Sequence, residues 1–166
     1  RRERMELKQT RRKEMLGLRR IDPDVAIEKN TWFHLGINSC EDMLYSLRRI
    51  CDPCEEHIDN SFVPLDKERV KEFLPLRDTL LYLLKRVCGV ISAGDFTDVQ
   101  KLNEQCDAFK HCLSQTRDEQ MARMQAGREN ITVSYVYLNI LQETQEMASS
   151  LKHMLRAARH FSEGRA

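Results

Sequence analysis

Apolar residues recur along this chain at alternating steps of three and four residues, the spacing of one face of a helix. Four such stripes follow one another. The first comprises Phe33, Ile37, Cys40, Leu44, Leu47, Cys51, Cys54 and Ile58, and the second comprises Val70, Phe73, Leu74, Leu80, Leu81, Leu84, Val87, Cys88 and Ile91. The third comprises Val99, Leu102, Cys106, Phe109, Leu113, Thr116 and Gln120. The fourth comprises Tyr137, Ile140, Thr144, Met147, Leu151, Met154, Ala158 and Phe161, widened by Leu138, Leu141, Ala148 and Leu155.

Helix-starting and helix-ending residues separate the stripes. Asp22-Pro23 pairs an N-cap with a proline at the first helical position, where a missing N–H costs nothing. The segment SFVPLD ends the first stripe, and Asp66 is expected to cap the next helix. Gly94 supplies a helix C-terminus and Asp95 a new cap, whereas Gly127 is a weaker break. The first helix is therefore expected from about 23 to 60.

One stretch favours a different structure. Residues 131–137, ITVSYVY, alternate polar and apolar side chains and are rich in β-branched residues, as a strand would be. A lone strand would have no partner, and the helical period continues for more than twenty residues beyond it. We therefore predict that this stretch is the first part of the fourth helix.

Four amphipathic helices joined by short loops predict an all-α domain, an antiparallel up-and-down four-helix bundle over residues 22–162, with a short tail at 163–166. Residues 1–21 form a basic and weakly apolar leader that is also expected to be helical. Its first twenty residues carry nine Lys/Arg and three Glu, a net charge of +6 in a chain whose total is +1. Because this leader lacks interleaved aromatic residues, nucleic-acid binding is not expected, and a juxtamembrane position suits it better.

The motif that looks most like a chemical site is CDPCEEH, residues 51–57. Cys51, Cys54 and His57 could share a metal, run redox chemistry or fill a helix face. No second Cys/His pair has matching spacing to complete a four-ligand zinc site, and no βαβ pattern surrounds the two cysteines. Core packing is the favoured interpretation, with both cysteines fully buried. Six cysteines in a helix-rich chain indicate a reducing cytosolic compartment without disulfides.

Carboxylates offer a second candidate. Glu55 and Asp59 are one helical turn apart, so both could reach one hard cation, although a solvated face is the default interpretation. A polar network between the first and last long helices is also expected, provided that the two are antiparallel neighbours; it would join Gln142, Glu146 and His153 to His34, Asn38 and Glu41. No glycine-rich phosphate loop, GxSxG or HExxH motif is present, so we expect no enzyme.

Two stretches together resemble a known family. Residues 29–62, KNTWFHLGINSCEDMLYSLRRICDPCEEHIDNSF, and residues 136–161, VYLNILQETQEMASSLKHMLRAARHF, are similar to the cytoplasmic C-terminal domain of bacterial sodium/phosphate cotransporters. In that family a PhoU-like helical bundle follows the transmembrane part. The resemblance covers about residues 20–161. It agrees with a chain that starts with Arg, a basic leader and the lack of any apolar run of about 20 residues.

The resemblance implies a non-catalytic regulatory or scaffolding domain of a sodium-dependent phosphate transporter, on the cytoplasmic side of the bacterial inner membrane. Its partners would be the transmembrane part of the same chain and, through self-association, a homodimer; this fragment would not insert into the membrane. PhoU-type regulators bind metal through E/D-x-x-x-D motifs, which only Glu55 to Asp59 matches outright here, while Asn103 to Asp107 is an imperfect echo. No cofactor is expected. The alternative is a free-standing cytosolic bundle that binds a divalent or ferric metal at Glu55 and Asp59, with Cys51, Cys54 and His57 as further candidate ligands.

Overall fold

All regular structure in the described part of the chain is α-helical. The computed structural model describes residues 2–18, 23–127 and 129–163, which form α1 (Arg2–Leu18), α2 (Pro23–Asp59), α3 (Lys67–Ala93), α4 (Val99–Gln125) and α5 (Ile131–Glu163). The predicted all-α class is confirmed. The predicted cap at Asp22 lies outside the described residues.

The predicted helix ends are confirmed at three of the four described breaks. Asp66 caps α3 by accepting a hydrogen bond from the Arg69 backbone N–H at 2.7 Å. Gly94 ends α3 in the left-handed conformation, with φ 65°, and Gly127 follows α4 with the same φ. Asp95 is the exception, because α4 begins only at Val99. Its carboxylate instead accepts hydrogen bonds from the backbone N–H and the hydroxyl of Thr97, which builds the turn before the helix.

The ambiguous stretch 131–137 is helical, as predicted. Helix α5 starts at Ile131, and the side-chain oxygen of Asn130 accepts from the Val133 backbone N–H at 3.2 Å. Tyr137 and Ser134 point into the interior from this first part of α5. The local β preference is overridden because the helical period places these two side chains on the same buried face as the rest of α5.

Helix α5 is the centre of the arrangement. It packs against α2, α3 and α4; α3 also packs against α4, whereas α1 packs only against α2. The α2 and α5 helices are antiparallel, since Trp32 stacks on His160 near one end and Arg49 contacts Glu143 farther down. Within the described residues, α2 makes no close approach to α3 or α4. One face of α2 therefore lacks the neighbour that a closed bundle would provide.

The hydrophobic core lies between α3, α4 and α5. Every buried residue of α4 belongs to the stripe predicted from the sequence: Val99, Leu102, Cys106, Phe109, Leu113, Thr116 and Gln120. They meet Leu83 and Val87 of α3, and Leu141, Leu151 and Leu155 of α5. The prediction succeeds for α4 because this helix has a neighbour on both sides of its apolar face.

Part of the apolar stripe predicted for α2 is exposed to solvent. Leu47 and Ile58 of α2 are exposed, and Ser39 and Ser46 are its buried side chains over the described positions 27–59. The predicted seam is therefore wrong for the second half of α2. The contact with α5 includes the small side chains of Ser39 and Ser46 alongside larger ones such as Trp32. A Cβ built at Gly36 would lie 3.6 Å from the Ala157 Cβ, which is ordinary van der Waals contact.

A cluster of charged side chains ties the start of α3 to the turn between α4 and α5. Arg123 lies 3.2 Å from Glu72 and 3.3 Å from Glu129, and Arg69 contacts the same two carboxylates. The Tyr137 hydroxyl donates to Glu72 at 2.8 Å. Burial, reinforced by this hydrogen bond, raises the pKa of Tyr137 well above its ordinary value. The cluster joins three helices at one end of the core.

Two glycines are expected to respond to alanine in opposite directions. Gly36→Ala should stabilise the protein by up to about 1 kcal/mol, because alanine is the better helix former and its Cβ fits against Ala157. Gly94→Ala should destabilise it by about 1 kcal/mol, because the left-handed backbone is strained for a residue with a Cβ. Urea unfolding followed by helical circular dichroism measures both changes. A loss of stability in Gly36→Ala would contradict the close but unstrained α2–α5 contact.

Candidate functional site

The CDPCEEH motif does not fill the core. Cys51 is exposed and Cys54 only half-buried, so the prediction that both are fully buried is wrong. The reason is the orientation of α2, whose serine-lined face packs on α5 and turns the cysteine face away. His57 serves the loop that follows, with Nε2 2.6 Å from the Val63 carbonyl oxygen and the ring 5.3 Å from that of Phe62.

Glu55 and Asp59 lie on the exposed surface of the last two turns of α2. Among the described residues, no group of three or more His, Cys, Asp or Glu side chains is placed to hold a metal ion. The pair alone offers two carboxylates where a hard cation takes six or more oxygens. Metal binding at Glu55 and Asp59 stays a prediction, and any metal there would keep most of its water ligands.

The expected polar network between α2 and α5 exists with other members. The guanidinium of Arg49 donates to Glu143 at 2.8 Å and to Ser46 at 3.2 Å, and the Asn139 side chain donates to the Arg49 carbonyl oxygen at 2.7 Å. Gln142 instead faces α4, where it accepts from Arg117 at 2.6 Å. His34 meets Arg11 of α1 at 3.1 Å. The two helices are antiparallel neighbours, as the prediction required, but its residue pairs are wrong.

A cleft of about 660 Å³ lies along α4 and α5 and is the strongest candidate site. Its cationic lining consists of Lys110 from α4 together with Lys152, Arg156 and Arg159 from α5. His153 and His160 add two ring nitrogens each, and Glu146 is the only carboxylate in the lining. The lining thus carries three more positive than negative charges, whereas the whole chain carries one. Such a cleft favours anionic ligands.

The four cations differ in how far they are already neutralised. Lys152 contacts both oxygens of Asp107, at 2.5 and 2.6 Å, and Arg159 contacts Glu163 at 2.8 Å. Lys110 and Arg156 have no carboxylate within ion-pairing distance among the described residues. Arg156 instead lies over Trp32, 5.8 Å from the ring centroid, beside the Trp32–His160 stack. Lys110 and Arg156 are therefore the two side chains most available to an incoming anion.

One feature of the sequence that the predicted motifs did not include indicates this cleft, namely the spacing of basic residues in α5. Lys152, Arg156 and Arg159 are spaced four and three residues apart, which places them on one side of α5. Basic residues at that spacing are common on solvated helices, so the spacing alone does not indicate a site. The contribution of Lys110 depends on how α4 lies against α5, and only the structure provides that alignment.

Comparison with known proteins adds no assignment, since no protein-family model, curated protein or solved structure matches the chain. Within its described part, no helix is both long and apolar enough to cross a membrane. Because no comparison assigns a function, the chemistry of the cleft is argued from the geometry of its own residues.

The two cysteines of CDPCEEH are expected to react at different rates. Cys51 is exposed, whereas burial raises the pKa of the Cys54 thiol, with a further contribution from Cys51, so less reactive thiolate forms at Cys54 near pH 8. Iodoacetamide labelling followed by peptide mass spectrometry should modify Cys51 several-fold faster. Cys106, which is buried and whose pKa is also raised, serves as the slow control within the same sample. Equal rates at Cys51 and Cys54 would contradict the orientation of α2.

Proposed function

We propose that this chain is a non-catalytic, regulatory or scaffolding domain of a sodium-dependent phosphate transporter, working on the cytoplasmic side of the membrane. In this proposal α2 to α5 form a PhoU-like helical bundle in which α2 contacts α5 but neither α3 nor α4, and the basic α1 connects it to the transmembrane part. The resemblance of residues 29–62 and 136–161 to the family supports it. The alternative metal-binding bundle has less support, because no cluster of potential ligands accompanies Glu55 and Asp59 in the described part.

The observation that carries the proposal is how the two similar stretches pack. Residues 29–62 fall within α2 and the loop after it, residues 136–161 fall within α5, and these helices are direct neighbours. Close contacts join them along their length: Trp32 with His160, Gly36 with Ala157, Cys40 with Met154 and Arg49 with Glu143. The resemblance therefore falls on one packed unit rather than on two separate surface segments.

In this proposal the basic cleft is the binding site for the regulatory ligand, inorganic phosphate. A domain that adjusts phosphate uptake needs a site whose occupancy follows phosphate concentration. Lys110 and Arg156 can donate charge-assisted hydrogen bonds to phosphate oxygens, and Lys152 and Arg159 add positive charge beside them. Because His160 and Arg156 line the cleft and both contact Trp32 of α2, an anion there would act on the α2–α5 contact. In this proposal that contact carries the signal.

Isothermal titration of the purified chain with inorganic phosphate tests the cleft. Binding should weaken about tenfold in Arg156→Ala, the loss of roughly 1.4 kcal/mol expected for one partly exposed charge-assisted hydrogen bond. Lys110→Ala should weaken it similarly. Arg77→Ala, an exposed arginine of α3 outside the cleft, is the matched control and should bind like the parent. No binding at millimolar phosphate, or an equal loss in the control, would contradict the role of the cleft.

The transport assignment has a separate test. The gene that encodes this chain should also encode several apolar stretches of about 20 residues upstream of Arg1. Cells expressing it should take up radiolabelled phosphate in a sodium-dependent manner. Deleting the part that encodes these 166 residues should leave sodium coupling intact and abolish the response of uptake to internal phosphate. A gene without membrane-spanning segments would contradict the transporter assignment, whatever the outcome of the phosphate titration.

A further inference from the structure

The basic cleft is larger than a single phosphate ion requires. Its volume of about 660 Å³ falls within the range of roughly 300–1,000 Å³ that is typical of clefts for drug-sized ligands. Of the described residues that line it, only Val99 is apolar, and the others are charged or polar. The cleft therefore suits an anion that is several times larger than orthophosphate, the single phosphate ion.

The contacts between α4 and α5 give the order of the charges along the cleft. Arg117 of α4 contacts Gln142 of α5 at 2.6 Å, and Asp107, ten residues earlier, contacts Lys152, ten residues later. The two helices are therefore antiparallel, with the same register at both contacts. In this register Lys110 of α4 lies about 5 Å before Lys152 along the α5 axis, because each residue of a helix adds about 1.5 Å.

The cations of the cleft form a row, which we call the cationic row: Lys110, Lys152, Arg156 and Arg159, in that order. From the level of Lys110 to Arg159 the row spans about ten residues of α5, or roughly 15 Å, with one cation at about every helical turn. The two cations that no described carboxylate neutralises, Lys110 and Arg156, differ in level by about 10 Å. Positive charge is thus spread along the cleft rather than concentrated at one point.

Carboxylates lie beyond both ends of the cationic row. Glu146 lines the cleft about one turn before the level of Lys110. At the other end Glu163 contacts Arg159 at 2.8 Å, and Asp95 lines the adjoining cavity with both of them. These carboxylates repel an anion that extends past the row. The row therefore has a defined length, which fits a chain of a few phosphate groups.

A single phosphate ion makes poor use of the cationic row. Charge-assisted hydrogen bonds are about 2.7–2.9 Å long, so one ion contacts Lys110 and Arg156 together only when both long side chains bend toward each other. That bending costs side-chain entropy. A linear chain of phosphates instead spans the distance between the two levels and places negative charge beside each cation.

The surroundings of the row do not favour a nucleic acid. The described lining of the cleft contains no Phe, Tyr or Trp, and the neighbouring Trp32 is already stacked on His160, with the Arg156 guanidinium 5.8 Å from its ring centroid. Single-stranded nucleic acids bind by stacking their bases on available aromatic rings. The row therefore matches a phosphate chain better than it matches a strand that carries bases.

We propose that the cleft binds a short condensed phosphate, a linear chain of a few phosphate groups, in preference to orthophosphate. The inference rests on the anion-binding role proposed above and narrows the class of ligand. The chain lies along the cationic row, with its ends at Lys110 and Arg159 and its middle at Arg156. A free oligophosphate and the triphosphate of a nucleotide share this chemistry.

A series of phosphate chain lengths tests the class of ligand. Isothermal titration of the purified chain in metal-free buffer, at constant pH and ionic strength, compares orthophosphate, pyrophosphate and tripolyphosphate. Tripolyphosphate should bind at least about tenfold more tightly than orthophosphate. A smaller gain, in a protein that does bind orthophosphate, overturns the inference and leaves the phosphate role intact. Tripolyphosphate binding without orthophosphate binding supports the inference and overturns orthophosphate as the ligand, whereas no binding of any of the three overturns both.

Substitution at one end of the row tests the geometry. Arg159→Ala should weaken tripolyphosphate binding several-fold more than orthophosphate binding, because only the longer anion reaches both ends. The Arg159 side chain is 48% exposed, so the variant should keep its helicity. Arg77→Ala, on α3 outside the cleft, is the matched control and should bind both anions like the parent. An equal loss of tripolyphosphate binding in the two variants overturns the row as the site.

ATP distinguishes the two sources of a phosphate chain, since it carries the chain attached to a base. ATP that binds no more tightly than tripolyphosphate supports recognition of the chain alone. ATP, or a single-stranded oligonucleotide, that binds more tightly than tripolyphosphate overturns the preference for a chain without bases.

Discussion

Burial of α5 on three sides is the constraint on which the rest of the structure depends. Helices α2, α3 and α4 all pack against it, so its interior positions serve two different contacts. Leucines such as Leu141 and Leu151 complete the apolar core with α3 and α4, whereas Ala157 lies against Gly36 of α2. Because α5 is covered on opposite sides, little of its surface is exposed to solvent. The exposed part carries the cationic residues of the cleft.

The charged cluster around Glu72 complements this packing at one end of the core. Removing one member of a partly buried ion-pair network leaves another charge without its partner. Arg69, Arg123 and Glu129 therefore constrain one another, and through Glu129 they hold the α4–α5 turn in register with α3. These ion pairs fix how α4 and α5 are aligned. The cleft lies along the same two helices, at the end away from the ion pairs.

The accuracy of the sequence-based predictions depends on how many neighbours each helix has. For α4, with partners on both sides, the apolar stripe and the buried set coincide from Val99 to Gln120. For α2, whose neighbours among the described helices are α5 and α1, periodicity identifies an apolar face but cannot tell which edge of it is covered. Ser39 and Ser46 are buried because closeness of approach, not hydrophobicity, decides that contact. The cleft was not predicted because it also depends on how helices pack. Lys110 of α4 lines it together with residues of α5, and the sequence does not show how these two helices are aligned.

The stack of Trp32 on His160 has a practical consequence. The chain contains one tryptophan, and its ring lies 4.2 Å from an imidazole on the opposite helix, with the Arg156 guanidinium nearby. All indole emission therefore originates at the junction of α2, α5 and the cleft. Without any label, the purified protein therefore carries a fluorescent reporter of whether these two helices are in contact, which can be followed during rapid mixing.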